Sequence, residues 1–212
     1  MAGRYIVVEG PIAVGKTSLA ERLAEALGAR LVLEEGEENP FLRKFYENPE
    51  KYAFATQIFF LLNRYRQQFE LAQRDLFEQA VVADYFFAKD QIFARLNLDN
   101  DEFLLYQQIY RMLDARAVRP DLVVYLEARG EVLARRMRRR GRDYEQRVAP
   151  SYLERVAEAY RQFFYHYTDS PLLVVQSSEI DFVERPADFR TLLKEIRNVK
   201  KGVQHYVPLS SR

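Results

Sequence analysis

Lys16 and Thr17 follow two glycines, Gly10 and Gly15, at the spacing G-x-x-x-x-G-K-[ST]. In such a loop the backbone N–H groups, with those of the helix it opens, point at phosphate oxygens, and the helix dipole favours their negative charge. The glycines let the backbone curl close, Lys16 is the group that reaches the β- and γ-phosphates, and Thr17 offers a hydroxyl to Mg²⁺. Ala13 inside the loop and Ser18 just after it complete the expected donor-binding set. The flanking elements fit. Tyr5 to Val8 reads as a short buried strand, and Leu19, Leu23, Ala26 and Leu27 recur at helical spacing up to a glycine stop at Gly28. Strand, glycine loop and helix in that order give the pattern a mechanism. This is a nucleotide phosphate site.

A phosphate loop alone does not separate a hydrolytic switch, a motor and a kinase. The D-x-x-G and N-K-x-D elements of GTPases are missing, and Asn198-Val-Lys-Lys is only a partial echo of the second. The chain offers instead polar residues at strand ends and within apolar helices. Glu34 stands at the carboxyl end of the second expected strand, on the edge that carries the phosphate loop. Phosphoryl transfer to a hydroxyl needs a carboxylate that positions the acceptor and takes its proton, and Glu34 is placed for that, with Glu35 next in line. A solvated acidic loop, with Glu37 and Glu38, is the plainer alternative. Gln57 and Arg64 lie about two helical turns apart on one face, roughly 10 Å along the axis. An amide can pair with a base edge and an arginine adds fixed donors, although on spacing alone a polar edge beside the apolar stripe explains both. Arg135, Arg136, Arg138, Arg139, Arg140 and Arg142 crowd around Gly141 and would repel one another without an anion. That suits a mobile lid over a triphosphate, or else a basic face in solvent.

The elements that must position these groups alternate along the chain. Strands are expected at Tyr5–Val8, Ala29–Glu34, Ala80–Asp84, Asp121–Glu127 and Leu172–Gln176. Helices are expected over about 40–46, 49–75, 86–96, 101–117, 131–139, 150–167 and 186–199, besides the one after the loop. Asn100 is read as a cap. This is an α/β pattern: a five-stranded parallel sheet flanked by helices. One domain covers 1–199, with the lid at about 135–148, and a tail at 200–212 is read as unstructured. Net charge is +1, which calls for neither nucleic acid nor a membrane surface as partner. There is no cysteine, no membrane-length apolar run and no signal-type leader, so the expected compartment is the cytoplasm. His166 and His205 lack the companions a metal site needs.

The segments Ile6–Thr17 (IVVEGPIAVGKT), Glu34–Leu42 (EEGEENPFL), Tyr46–Arg64 (YENPEKYAFATQIFFLLNR), Asp84–Asp90 (DYFFAKD) and Arg136–Glu145 (RMRRRGRDYE) resemble the deoxynucleoside kinase family, most of all its bacterial deoxyadenosine/deoxyguanosine branch. The likeness runs to about residue 197. It implies a P-loop kinase fold, ATP and Mg²⁺, and a homodimer packed through long helices. It implies Glu34 as base at the 5′-hydroxyl, Gln57 as base reader, Arg64 and Asp90 as a charged pair at the base edge, and Tyr46 with Glu145 at the sugar 3′-hydroxyl. Asp84 would stand beside Thr17 near the magnesium, Arg136 against the donor base, and Arg140 and Arg142 on phosphates. One departure stands out. The family usually carries Asp-Arg-Ser or Glu-Arg-Ser after the third strand, and here the chain reads Asp84-Tyr85-Phe86. The positive charge must come from elsewhere, and the lid is the source expected.

The reading is therefore transfer of the γ-phosphoryl of ATP to the 5′-hydroxyl of a deoxynucleoside. Its rivals are a nucleoside monophosphate kinase of thymidylate kinase type, which would need an arginine where Tyr85 stands, and a nucleotide-binding regulator without transfer activity. Amide pairing, with room left by Ala53, Ala55 and Ala94, orders the acceptors: deoxyadenosine first, deoxyguanosine or deoxycytidine next, thymidine poor.

Overall fold

A computed structural model of the chain describes residues 4–73, 80–114 and 117–208. The first half contains β1 (Tyr5–Glu9), α1 (Lys16–Leu27), β2 (Arg30–Val32), α2 (Leu42–Glu47), α3 (Pro49–Gln73), β3 (Val81–Ala83), α4 (Asp90–Asn97) and α5 (Asn100–Asp114). The second half contains β4 (Leu122–Glu127), α6 (Gly130–Arg140), α7 (Pro150–Tyr165), β5 (Leu172–Gln176), α8 (Pro186–Asn198) and β6 (Val203–Tyr206). All strands are parallel, in the order β2-β3-β1-β4-β5-β6.

Central strands such as β1 are apolar on both faces, so both must be covered, and alternating helices do this. Ile6, Val8, Val124, Leu126 and Val175 face Leu19 and Leu23 of α1, Leu133 of α6, and Leu192 and Ile196 of α8. The residues between them, Tyr5, Val7, Val123, Tyr125 and Val174, face Ile92 of α4 and Val156, Tyr160 and Phe164 of α7. Each such large side chain contributes about 1.5–3 kcal/mol by leaving water. Because the chain leaves β1 first toward one side of the sheet and later toward the other, a crevice opens past the carboxyl end of β1.

Several boundaries differ from expectation for physical reasons. The sheet has six strands, not five, and the extra one lies in the tail that reads as unstructured. β6 is an edge strand with three of four residues exposed, so it needs no apolar run. A left-handed turn at Gly202 (φ 68°) aligns it, and its register runs from Leu172 opposite Val203 to Val175 opposite Tyr206. The helix expected from residue 86 starts as a 3₁₀ turn, Phe87–Lys89, before α4. Asp99, not Asn100, caps α5: its Oδ1 accepts from Glu102 N–H (2.8 Å), and Glu102 Oε2 accepts from Asp99 N–H (3.3 Å). The expected ends of the helices at residues 75 and 117 fall at or beyond residues outside the described set.

Four paired backbone positions and the half-covered Tyr206 are what β6 adds. Truncation after Lys201 is expected to destabilise the protein by about 1–3 kcal/mol and to lower Tm by several degrees. Circular dichroism melting checks this, and a Tm unchanged within about a degree would assign β6 no stabilising part.

Candidate active site

The phosphate loop is held in a backbone shape few residues accept. Ala13 has φ 64°, the one positive φ at a non-glycine among the described residues, and such strain gathers at functional loops. At Gly10 a Cβ would stand 2.5 Å from Leu126 O, so only glycine lets the loop leave β1 beside β4. Lys16 folds over the loop and donates from Nζ to Gly10 O (2.8 Å) and Pro11 O (3.2 Å). Burial pushes its ammonium down to about 8, with Glu9 opposing. Ser18 lies on the same wall of the cleft. Thr17 Oγ1 donates to Asp84 Oδ2, and Asp84 Oδ1 accepts from Glu34 N–H at 2.7 Å. Asp84 thereby fastens the start of α1 to the segment after β2. Thr17 and Asp84 present the hard oxygen donors that Mg²⁺ takes. Among the described residues there is no group of three or more metal-ligating side chains.

From Glu34 a chain of buried ions runs in two directions. Glu34 Oε1 accepts from Arg64 Nε (2.8 Å) and pairs with Arg64 Nη2 (2.6 Å), and its Oε2 accepts from Lys89 Nζ (2.9 Å). Burial alone would raise this carboxyl, but Arg64, then Lys89 and Lys16, hold it well below the usual carboxylate range. Arg64 Nη1 lies 3.0 Å from Asp90 Oδ1, and Arg64 rests over the Phe60 ring at 4.9 Å. Asp90 is fully buried, and burial pushes it up to about 6 despite Arg64, whose closer partner is Glu34. Gln57 Nε2 donates to Asp90 O (3.0 Å) and to Asp90 Oδ1, which leaves Gln57 Oε1 as the atom a ligand would meet. In the other direction Lys89 Nζ lies 3.6 Å from Glu9 Oε2. Glu9 Oε1 accepts from Gly10 N–H (2.9 Å) and from the Tyr160 hydroxyl (3.1 Å).

The lid residues turn inward on their own partners. α6 carries the arginines to Arg140, Gly141 (φ 71°) ends it, and a 3₁₀ turn (Asp143–Arg147) follows. Arg140 grips Glu145 with both Nε and Nη2, and Arg142 Nη1 lies 3.9 Å from the same carboxylate. Glu145 is buried and Tyr46 stacks on Tyr144 with ring centroids 5.9 Å apart, so Tyr46 and Glu145 share one end of the cleft. Arg136 donates to Val14 O (2.9 Å) and Ser177 O (2.7 Å), clamping the loop to the segment after β5. Arg139 pairs with Glu184 (3.1 Å) where both are exposed.

Lys16, Thr17, Ser18, Glu34, Tyr46, Gln57, Arg64, Asp84, Lys89, Arg136, Arg140, Arg142 and Glu145 line one cleft of about 990 Å³, and Glu9 and Asp90 are buried behind its wall. The structure thus brings together every expected site residue on or beside it. Of the three small residues expected to make room, Ala53 lines the cleft, whereas Ala94 is packed in the core with Leu61 and Phe87. Reading by spacing missed Lys89 and Glu9. Glu9 has a signal, a charge closing a buried strand just before the loop glycine. Lys89 has almost none, because the 3₁₀ turn shifts the helical phase in which it would be read.

The comparisons agree with this geometry. Residues 6–201 match the family model described as deoxynucleoside kinase. A deoxyguanosine kinase of Bacillus subtilis (strain 168) is 32% identical over 200 residues, covering 92% of this chain and 97% of that protein. A deoxyadenosine kinase of Lactobacillus acidophilus is 31% identical over 209 residues, covering 91% and 94%. The structure of deoxyadenosine kinase from M. mycoides with bound dATP has the same fold, with a TM-score of 0.80 at 23% identity over 92% of this chain and 100% of that one. The chain belongs to the deoxynucleoside kinase family and is a deoxynucleoside kinase.

Proposed function

We propose that this kinase transfers the γ-phosphoryl of ATP, with Mg²⁺, to the 5′-hydroxyl of a deoxynucleoside, deoxyadenosine ahead of deoxyguanosine or deoxycytidine. The observation that carries the reading is the meeting of Glu34, the phosphate loop and the Gln57–Asp90–Arg64 set in one cleft. The loop N–H groups and Lys16 take the phosphates, and Lys16 exchanges two carbonyl partners for phosphate oxygens. Thr17 and Asp84 would hold Mg²⁺, which offsets phosphate charge. Glu34 accepts the 5′-hydroxyl and takes its proton late, as bond formation drains charge from the oxygen. Gln57 Oε1 accepts from an exocyclic amino group, which adenine and cytosine present, while Arg64 serves N7 or a carbonyl. The relatives' names include deoxyguanosine, deoxyadenosine and deoxyadenosine/deoxycytidine kinases, in line with this set of acceptors. Tyr46 and Glu145 hold the 3′-hydroxyl, Arg136 stands by the donor base, and Arg140 and Arg142 reach phosphates once Glu145 releases them. Exposed Leu62 and Phe69 on α3 and Leu105 and Met112 on α5, each pair seven residues apart, support the proposed homodimer through these helices.

Three outcomes test the reading. Glu34→Gln keeps the shape and removes the base, so kcat is expected to fall by roughly 10²–10⁴ with nucleoside affinity little changed. Near-full activity, with loss on Glu35→Gln instead, moves the base to the exposed neighbour that pairs with Arg66 at 3.5 Å.

Burial holds Lys16 down to about 8, and phosphate beside it would raise it again. ATP binding therefore draws a proton above that pH, and affinity weakens as pH rises through it. Calorimetry at pH 8.5 in buffers of different ionisation enthalpy measures the uptake; none would mean that Lys16 does not meet the phosphates.

Specificity constants for the four deoxynucleosides should place deoxyadenosine first and thymidine last. Thymidine above deoxyadenosine contradicts the amide pairing.

A further inference from the structure

Lys89 is 2% exposed, lies on the wall of the cleft and has no part in the transfer as described so far. An ammonium is costly to bury, and an apolar side chain would pack a 3₁₀ turn at less cost. Its position is specific. The two oxygens of Glu34 divide the cleft: Oε1 faces Arg64 and the base-reading set, and Oε2 faces Lys89. Lys89 Nζ also lies 3.6 Å from Glu9 Oε2, which no hydrogen bond satisfies, and Lys16 Nζ lies 4.0 Å from Glu9 Oε1. The two lysines thus flank one carboxylate, whose other contacts are Gly10 N–H and the Tyr160 hydroxyl. They bracket the gap between the phosphate loop and Glu34, where an acceptor oxygen bound at Glu34 meets a phosphate held by the loop. At the neighbouring position after β3, Tyr85 is fully buried with its hydroxyl 3.5 Å from Gln68 Nε2, so no charge comes from there.

We propose that Lys89 is a catalytic residue, the acceptor-side ammonium that contacts the phosphoryl oxygens as they pass from ATP to the 5′-oxygen. The proposal rests on Glu34 as the base. A lone pair of the 5′-oxygen forms the bond to the γ-phosphorus. The bond from that phosphorus to the β–γ bridging oxygen breaks, its electron pair leaves on ADP, and the 5′-hydroxyl proton passes to Glu34. As Glu34 becomes neutral, Lys89 loses the closer of its two anionic partners, and the oxygens of the transferring group take its place. The contact is stronger in the transition state than before it, which is the condition for raising kcat.

The test compares wild type, Lys89→Met, Lys89→Arg and the pair Lys89→Met/Glu9→Gln, the last removing the buried charge that the single change would strand. Turnover of deoxyadenosine with ATP and Mg²⁺, nucleoside affinity and the pH profile of kcat/KM are read for each variant that melts cooperatively. Expected are a kcat loss of roughly 10²–10³ in the Met variants, nucleoside affinity held within about threefold, and recovery of at least about tenfold in Lys89→Arg. The acid limb should also move to higher pH in Lys89→Met. Glu34 then faces Arg64 from α3 and Lys16 from α1 without its second close cation, while Glu9, Asp84 and Asp90 remain nearby. Turnover within about threefold of wild type in either Met variant overturns the proposal, as does a loss confined to KM. Failure of both Met variants to fold also overturns it, in favour of an ion that only holds the fold. If wild type itself makes no nucleoside monophosphate, the acceptor reading fails first, so the two failures are distinct.

Discussion

Glu34 is held as an ionised carboxylate on the wall of the cleft by two buried cations, Arg64 on one oxygen and Lys89 on the other. Much of the architecture follows from that constraint. Arg64 must come from a helix packed beside α4 and the turn before it, and α3 supplies it. Lys89 must arrive at the end of β3, and the 3₁₀ turn before α4 delivers it. Asp90, one residue on, balances Arg64, and Glu9 at the end of β1 balances Lys89. Replacing such a set by apolar residues is often neutral or stabilising, whereas removing a single partner costs about 3–5 kcal/mol. Retention of five ionisable groups here is therefore a cost to the fold that packing does not explain, and the chemistry of the cleft does.

The arrangement also sets a conflict for Arg64. Its guanidinium donates to Glu34 and sits against Asp90 at once. On the proposed reading, a base that takes Arg64 draws it toward Asp90 and away from Glu34. A carboxylate held so far below its usual range is a poor proton acceptor, and loss of one cation moves it toward a useful one. Base recognition at one end of the cleft would then prepare proton transfer at the other, through an arginine that cannot serve both partners fully.

How much of this was legible depended on which kind of signal a residue carries. Gly10, Gly15, Lys16 and Thr17 are read from local spacing, because the phosphate loop is a short backbone device. β1, β4 and β5 are read from apolar runs that burial on two faces demands. β6 was not, since an edge strand held by backbone bonds leaves its side chains in water and its pattern polar. Glu34, Gln57, Arg64 and Asp90 could be singled out, but not their pairing, which depends on how α3 packs against α4 and the turn before it. The lid was expected to supply the charge missing at Tyr85. Lys89 instead pairs with Glu34 beside Arg64, while Arg140 is held by Glu145. A lysine whose meaning is set by a 3₁₀ turn and by two strands far away in sequence has no local pattern to betray it.

The same physical logic recurs at the three ends of the cleft. Lys16 sits on the carbonyls of Gly10 and Pro11, Arg64 on Glu34, and Arg140 on Glu145. In each case a cation of the protein is paired with a partner of the protein's own, so few of these charges are left unpaired. On the proposed reading, phosphate, base and sugar enter by exchange of partners and not by filling vacant ones. Exchange lowers the net gain from each contact, because the bond made is offset by the bond given up. It also sharpens discrimination, since a ligand that removes the cation without replacing it strands a buried charge. A monodentate or misplaced ligand is thereby rejected by the groups that a well-placed one satisfies.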